Sequence, residues 1–287
     1  MLIDAHHHLW RYSPSEYGWI NEQMQVLRRD FLAADLHDVA RTVGVDGFVS
    51  VQARQSLAET EALLEIAQHD PLVLGVVGWV PLAADELCDH LDRFGQSPWL
   101  KGVRHVVQDE PDDRFLLGAA FNRGVAELRR YGLVYDVLIY ARQLPAAIAF
   151  ADRHPAQPLV LDHIAKPTIA AEFDHSWETN VRELAKREHV SCKFSGVVTE
   201  IRDSTTGGDP SQRSDWSIDQ IRRYWDVALE AFTPKRLMFG SDWPVCLLRT
   251  PYARWVETVR ELAGPLSPAE QADLFAGNAI SVYNLQT

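Results

Sequence analysis

The chain's 287 residues suffice for one large domain or two small ones, and 46% hydrophobic with 24% charged residues is ordinary for a soluble globular protein. A formal net charge of −12 with no visible basic face argues against a nucleic-acid partner, and the longest apolar stretch, residues 72–84, is too short to span a bilayer. Cys88, Cys192 and Cys246 are odd in number and not closely paired, and no basic-then-apolar leader opens the chain, so a reducing, cytoplasmic compartment is expected.

The chain opens on Leu-Ile-Asp-Ala-His-His-His-Leu-Trp at residues 2–10, which reads as a short buried strand ending in histidines. Side chains alternate along a strand, so His6 and His8 share a face, roughly 6–7 Å apart, and His7 takes the other. Two imidazoles on one face can hold a metal ion or clamp a polar substrate, and the apolar flanks argue against an expression tag. An aromatic loop follows with Trp10, Tyr12, Tyr17 and Trp19; it either folds over a pocket or packs outside the domain. Residues 32–43 have helical spacing, 47–53 read as a second strand, 57–69 as a helix ended by Pro71, 72–81 as a third strand and 85–94 as a helix. Strand and helix then alternate through 100–107, 113–131, 133–140, 144–153, 158–163, 177–189, 190–196, 217–232 and 236–242, and two helical patterns at 252–262 and 268–274 close the chain. Eight near-continuous apolar runs, each followed by a helical pattern, belong in a parallel sheet covered on both faces. They fit one (β/α)8 TIM barrel over residues 1–287, a fold that typically takes about 250 residues. An open doubly wound sheet would show a glycine-rich turn after its first strand, where this chain has three histidines.

The active site of such a barrel lies at the carboxyl ends of its strands. From first strand to eighth, those ends carry His6 and His8, Gln52 and Arg54, Trp79, Arg104 and His105, Asp136 or Tyr140, His163 and Lys166, Lys193 and Glu200, and Asp242 and Trp243. Polar ends on apolar strands are costly in a purely structural design, so their accumulation marks a site. Taken singly each has a plainer role: Arg104 could pair with Asp136 or Asp162, Lys193 could be a salt-bridged barrel lysine, and Gln52 could bond the rim. Arg104 and His105 face opposite ways, and Arg104 is favoured for the pocket. His37, His69, His90, His154, His175 and His189 fall on helices or loops and are expected to be solvated. Glu200, Asp203 and the polar run 205–214 have the composition of a loop that could serve as a lid. The first and eighth strands are neighbours in a closed barrel, which brings Asp242 to the histidine pair. His6, His8, His163 and Asp242 are a sound ligand set for Zn²⁺ or Mn²⁺. The same four can act without metal, as an Asp base beside His donors.

Three segments carry a family resemblance: Ile-Asp-Ala-His-His-His at 3–8, Leu-Asp-His-Ile-Ala-Lys-Pro at 161–167 and Phe-Gly-Ser-Asp-Trp-Pro at 239–244. Together they resemble the amidohydrolase superfamily, and more closely its sugar-lactonase branch of fucono- and rhamnono-lactonase-like enzymes, with the pyrone-dicarboxylate lactonases as cousins. The likeness runs from first strand to eighth. It implies that His6 and His8 are the strand-one His-x-His, His163 the strand-six His and Asp242 the strand-eight Asp. Many superfamily members hold two metals with a bridging Lys or Glu on strand four and a His on strand five. Here strand four ends in Arg104 and His105, and strand five has no His, so at most one divalent metal, zinc first, is expected. The branch is known for working without an essential metal, so even that ion need not be required.

The resemblance implies hydrolysis of a small-molecule sugar-acid lactone to the open aldonate. Asp242 would take a proton from water, and His163, with Arg104 or a metal held by His6 and His8, would stabilise the oxyanion. Gln52, Lys193, Trp10, Trp79 and Trp243 have side chains suited to sugar hydroxyls and ring faces. Three other functions stay open. A metal-dependent decarboxylase of the same superfamily would need a tightly bound metal and an aromatic acid. A non-catalytic sugar-acid binding barrel would bind without turnover. A phosphosugar aldolase or isomerase would want a glycine-rich phosphate cradle after strands seven and eight, which Ser-Asp-Trp-Pro does not offer. A homo-oligomer is compatible with the sequence.

Overall fold

The computed structural model describes residues 1–202 and 216–287. Eight parallel strands follow one another in sheet order as in sequence: β1 (Ile3–His7), β2 (Gly47–Val51), β3 (Val73–Gly78), β4 (Leu100–Val106), β5 (Val134–Leu138), β6 (Leu159–Leu161), β7 (Val190–Phe194) and β8 (Leu237–Phe239). A parallel bridge from His7 to Trp243 joins β1 to the segment after β8 and closes the barrel. The connections are helical: α1 (Ala33–Val43), α2 (Leu57–His69), α3 (Leu87–Phe94), α4 (Ala119–Leu128), α5 (Leu144–Arg153), α6 (His175–Ala185), α7 (Ile218–Phe232) and α8 (Tyr252–Leu262). Then α9 (Pro268–Ala272) and α10 (Asn278–Tyr283) flank a π-helical turn, Asp273–Gly277. The (β/α)8 expectation is met. Among the described residues, no helix is long and apolar enough to cross a membrane.

Local chemistry sets the element ends. α1 stops where Gly44 takes a left-handed conformation (φ 73°), open to glycine at no steric cost. α9 starts on Pro268, with Ser267 and Glu270 bonding each other's backbone N–H. The helix expected over 113–131 is broken: Gly118 is extended (ψ 132°), so a short 3-10 turn, Phe115–Leu117, precedes α4. β6 is shorter than expected because the chain turns sharply at Asp162.

Two apolar layers hold the barrel. Between strands and helices lies the large core that includes Phe48, Phe150, Trp177, Phe194, Trp225 and Trp255. Inside the barrel, Ile3, Ala5, Val49, Val51, Val77, Val134, Val160 and Met238 pack together, and Ala279 and Tyr283 of α10 plug one end. From that plug a polar column runs through the barrel. Tyr283 donates to Asp136, Lys193 donates to Asp136 and lies 3.1 Å from Asp162, and Arg104 donates to Asp162 at 3.0 Å. All five of these side chains are buried. The column ends on His6 at the other mouth.

Candidate active site

The carboxyl ends of β1, β6 and β8 place four buried side chains around one point. The Asp242 Oδ1 lies 3.2 Å from His8 Nε2, 3.8 Å from His6 Nε2 and 3.9 Å from His163 Nε2. The backbone enforces this. Asp242 N donates to the His6 carbonyl at 2.8 Å and His8 N to the Trp243 carbonyl at 2.7 Å, so the two strand ends are laced together. Asp4, inside β1, accepts from the Ser241 N–H at 2.9 Å, from the Ser241 hydroxyl and from the Tyr252 hydroxyl. It thereby pins the loop that carries Asp242. Burial raises the Asp4 carboxyl to about 6 against the opposing effect of those hydrogen bonds.

The turn after β6 is strained. His163, Ile164, Ala165 and Lys166 all have positive φ (53°, 48°, 61° and 46°), as does Asp242 (58°). For a β-branched residue such as Ile164 this is a rare conformation, and each such residue costs on the order of 1–3 kcal/mol. Gly196, also at positive φ (63°), lies where a Cβ would come within 2.7 Å of His163 Nδ1 and 2.9 Å of Asp242 Oδ2. No side chain fits there.

Each imidazole is turned the same way. His8 Nδ1 meets the Val51 carbonyl at 2.7 Å, His163 Nδ1 meets the Ser195 hydroxyl at 2.9 Å, and His6 Nδ1 lies 3.2 Å from Asp162. All three Nε2 atoms thus face the carboxylate. Burial of Asp242 would raise its carboxyl, but His163, the His8 contact and His6 more than offset this and hold it well below the usual carboxylate range. Burial lowers His163 to about 4 despite the opposing pull of Asp242, and lowers His6 well below its ordinary value, so both are neutral at physiological pH.

This donor set fits a divalent ion. His6, His163 and Asp242 offer ligand atoms all within 4.8 Å of one another. Tetrahedral zinc, with bonds of about 2.0–2.1 Å, needs ligands roughly 3.3 Å apart, and catalytic sites commonly use three protein ligands. Outward Nδ1 partners of this kind are what metal-binding histidines have. His8, expected as a fourth ligand, touches Asp242 but lies outside that group of three.

The site opens into a cleft of about 740 Å³. Gln55, Gln108, Glu110, Tyr140, Lys166 and Glu200 line it with mixed donors and acceptors, and Trp19 and Met24 of the aromatic loop lie over it. Arg104 reaches this cleft. His105 turns away, stacking on Phe115 and pairing with Glu110 at 2.7 Å. Five residues expected to bind substrate do not line this cleft. Lys193 is fully buried in the column, where its ammonium is shared by Asp136 and Asp162. Gln52 is fully buried beside Arg104, its amide donating to the Arg104 carbonyl at 3.4 Å. Trp10 is buried among Tyr17, Trp19 and Phe31 and lines a separate cavity. Trp79 points at His105 at 3.4 Å, and Trp243 packs against Phe31 and His7. Being at a strand end did not suffice, because the column and the aromatic loop already occupy those directions.

Glu200 is buried in the cleft wall, with Thr199 at 3.4 Å and Arg202 at 3.7 Å as polar partners among the described residues. Burial raises its carboxyl. The lid expected over Asp203 and 205–214 lies outside the described residues. His154, expected to be solvated, is buried and bonded to Asn122 at 2.9 Å.

A closed barrel with a strand-one His-x-His, a strand-six His and a strand-eight Asp converging at its carboxyl mouth defines a hydrolase-type centre with donors that could hold a divalent metal. The chain belongs to the amidohydrolase family, whose model matches residues 3–285. It is 43% identical over 293 residues to an L-fucono-1,5-lactonase of Burkholderia multivorans, covering 99% of this chain and 96% of that one. It is 31% identical to an L-fucono-1,5-lactonase of Burkholderia ambifaria, over 99% and 95% of the two chains. A crystal structure of an amidohydrolase from Burkholderia multivorans with bound zinc superposes with a TM-score of 0.91 at 42% identity, over the full length of both chains.

Proposed function

We propose that the protein is a lactonase that opens a sugar-acid lactone, L-fucono-1,5-lactone first among candidates, to the aldonate. One observation carries the mechanism: Asp242 is held ionised on the floor of a polar cleft by three imidazoles and no fixed cation. Asp242 takes a proton from water as the water oxygen bonds to the lactone carbonyl carbon. The oxyanion forms beside neutral His163 and the Arg104 guanidinium. The Ser195 hydroxyl can donate to His163 Nδ1, leaving the proton on Nε2, where it faces the cleft. As the ring C–O bond breaks, Asp242 returns its proton to the departing oxygen. The new carboxylic acid loses a proton to solvent at neutral pH, and that release gives the assay. A divalent ion held by His6, His163 and Asp242 would supply Lewis-acid polarisation of the carbonyl and a more acidic bound water.

The cleft suits a hydroxyl-rich ligand, with Gln55, Gln108, Glu110, Tyr140, Lys166 and Glu200 as donors and acceptors around the ring. The lactonase relatives favour this reading over a decarboxylase or a binding barrel. Cys88, Cys192 and Cys246 are free thiols, in keeping with cytoplasmic sugar-acid catabolism. The test is proton release from a panel of aldono-lactones by wild type and Asp242→Asn, with and without chelator. Asn keeps the shape and loses the base, so kcat should fall by about 10²–10⁴ with an unchanged fold. An Asn variant retaining a tenth of wild-type kcat, or no turnover of any lactone, defeats the proposal.

A further inference from the structure

The centre already contains a cation. Arg104 leaves β4 buried and is anchored on two sides: one arm donates to Asp162 at 3.0 Å and the other to the Gln52 carbonyl. The first arm also reaches His6 Nε2, at 3.2 Å. A neutral imidazole has one N–H. On Nδ1 it faces the Asp162 carboxylate 3.2 Å away and leaves Nε2 as a lone pair that accepts from Arg104. On Nε2 it would confront the guanidinium N–H, with its nearest carboxylate, Asp242, at 3.8 Å. Arg104 and Asp162 thus favour the first tautomer, whereas Lys193 Nζ, 3.3 Å from Nδ1, opposes it.

That lone pair is also the one His6 would give to a metal. One lone pair cannot serve an N–H donor and a metal ion together, and a fixed positive charge at that distance repels a divalent ion as well. Lys193 adds a second buried cation on the opposite edge of the ring, 3.3 Å from Nδ1. We propose that Arg104 is a resident cation that competes with divalent metal for His6, so that the guanidinium and the ion occupy Nε2 alternately. With Arg104 docked, His6 has both its nitrogens partnered by protein. An ion enters the three-ligand site only as Arg104 leaves Nε2. The inference concerns which cation fills the centre and does not depend on the lactone substrate, so it fails or stands separately from the proposed reaction.

The experiment is Zn²⁺ affinity, by chelator competition at fixed pH, of the full-length wild type and of Arg104→Gln and Arg104→Lys. Circular dichroism reports folding. A folded variant that binds Zn²⁺ roughly ten- to a hundredfold more tightly than wild type is the expected result, the range following from loss of one hydrogen bond from a charged donor. Affinity equal to or weaker than wild type in the folded variants overturns the proposal. Should neither variant fold, the wild type soaked in Zn²⁺ until ion density fills the centre decides. An ion on His6 Nε2 with Arg104 withdrawn beyond hydrogen-bond distance supports competition. An ion in the centre with Arg104 still donating to that nitrogen refutes it.

Discussion

Glu59 offers a test in which the magnitude can be worked through. It sits in the first turn of α2, buried, with one carboxylate oxygen accepting from the backbone N–H groups of Ala53 and Arg54 at 3.0 and 2.9 Å. The other oxygen accepts from the Tyr17 hydroxyl at 3.1 Å. It thus ties the loop after β2, which borders the cleft, to the aromatic loop. Burial raises its carboxyl from 4.5 to about 7, outweighing those hydrogen bonds and Arg54. An acid with a raised value binds more protons folded than unfolded between those two pH values, so its contribution to stability falls as pH rises through 4.5–7 and is level above. At about 1.4 kcal/mol for each tenfold step, the ionised side chain costs the folded state about 3 kcal/mol at pH 8, an upper figure. Glu59→Gln removes the charge and can keep the bonds, its oxygen toward the two N–H groups and its amide donating to Tyr17. The variant should match wild type near pH 4.5 and gain on it steadily to about 2–3 kcal/mol at pH 8. Urea denaturation of both proteins at pH 5, 6, 7 and 8 measures this difference. A Gln variant that is less stable than wild type at pH 8, or a difference that does not change with pH, would refute the argument.

Two further outcomes follow from the barrel interior and the strained turn. Lys193→Met leaves Asp136 and Asp162 short of a buried cation, and should cost about 3–5 kcal/mol and lower the melting temperature by roughly 10 °C, with KM for the lactone unchanged in the folded fraction. A raised KM with normal stability would restore Lys193 as a substrate ligand. Gly196→Ala places a methyl group 2.7 Å from His163 Nδ1 at a φ of 63°, and should lower kcat by about a hundredfold while the circular dichroism spectrum is kept. Unchanged kcat would show that the cradle tolerates a side chain.

The barrel and its four central residues were legible because they are carried by signals that survive in one dimension. Near-continuous apolar runs mark a parallel sheet, and a polar residue ending such a run has few structural uses. Lys193, Gln52 and Trp243 meet the same criterion and lie buried outside the cleft lining. What separates them from His163 is partnership: Lys193 finds Asp136 and Asp162 inside the barrel, and no pattern along the chain reports which charges meet across it. Asp4 was missed for a related reason. It is a carboxylate inside a buried strand, which is itself a signal, but its partners Ser241 and Tyr252 lie more than two hundred residues away in sequence. Glu200 reads from its polar neighbours in sequence both as a strand-seven end and as part of a loop that could serve as a lid; in the fold it belongs to the cleft wall.

The charges of the column bear on the base role proposed for Asp242. Arg104 and Lys193 bring two positive charges, Asp136 and Asp162 two negative ones, and they are arranged in contact. Asp242 is the fifth charge, and among the described residues no Lys or Arg lies within 4.0 Å of it. A carboxylate locked to a guanidinium would be a poor proton acceptor, since each proton taken would break an ion pair. Imidazoles also hold Asp242 ionised at a cost in basicity, but being neutral they leave no unpaired fixed charge when it takes a proton. Its two oxygens also differ. The contacts given for His6, His8 and His163 all reach Oδ1, whereas Oδ2 lies beside the bare Cα of Gly196. The histidines thus meet the carboxylate at one oxygen, and the glycine keeps room beside the other, which in the proposed mechanism takes the proton of the attacking water.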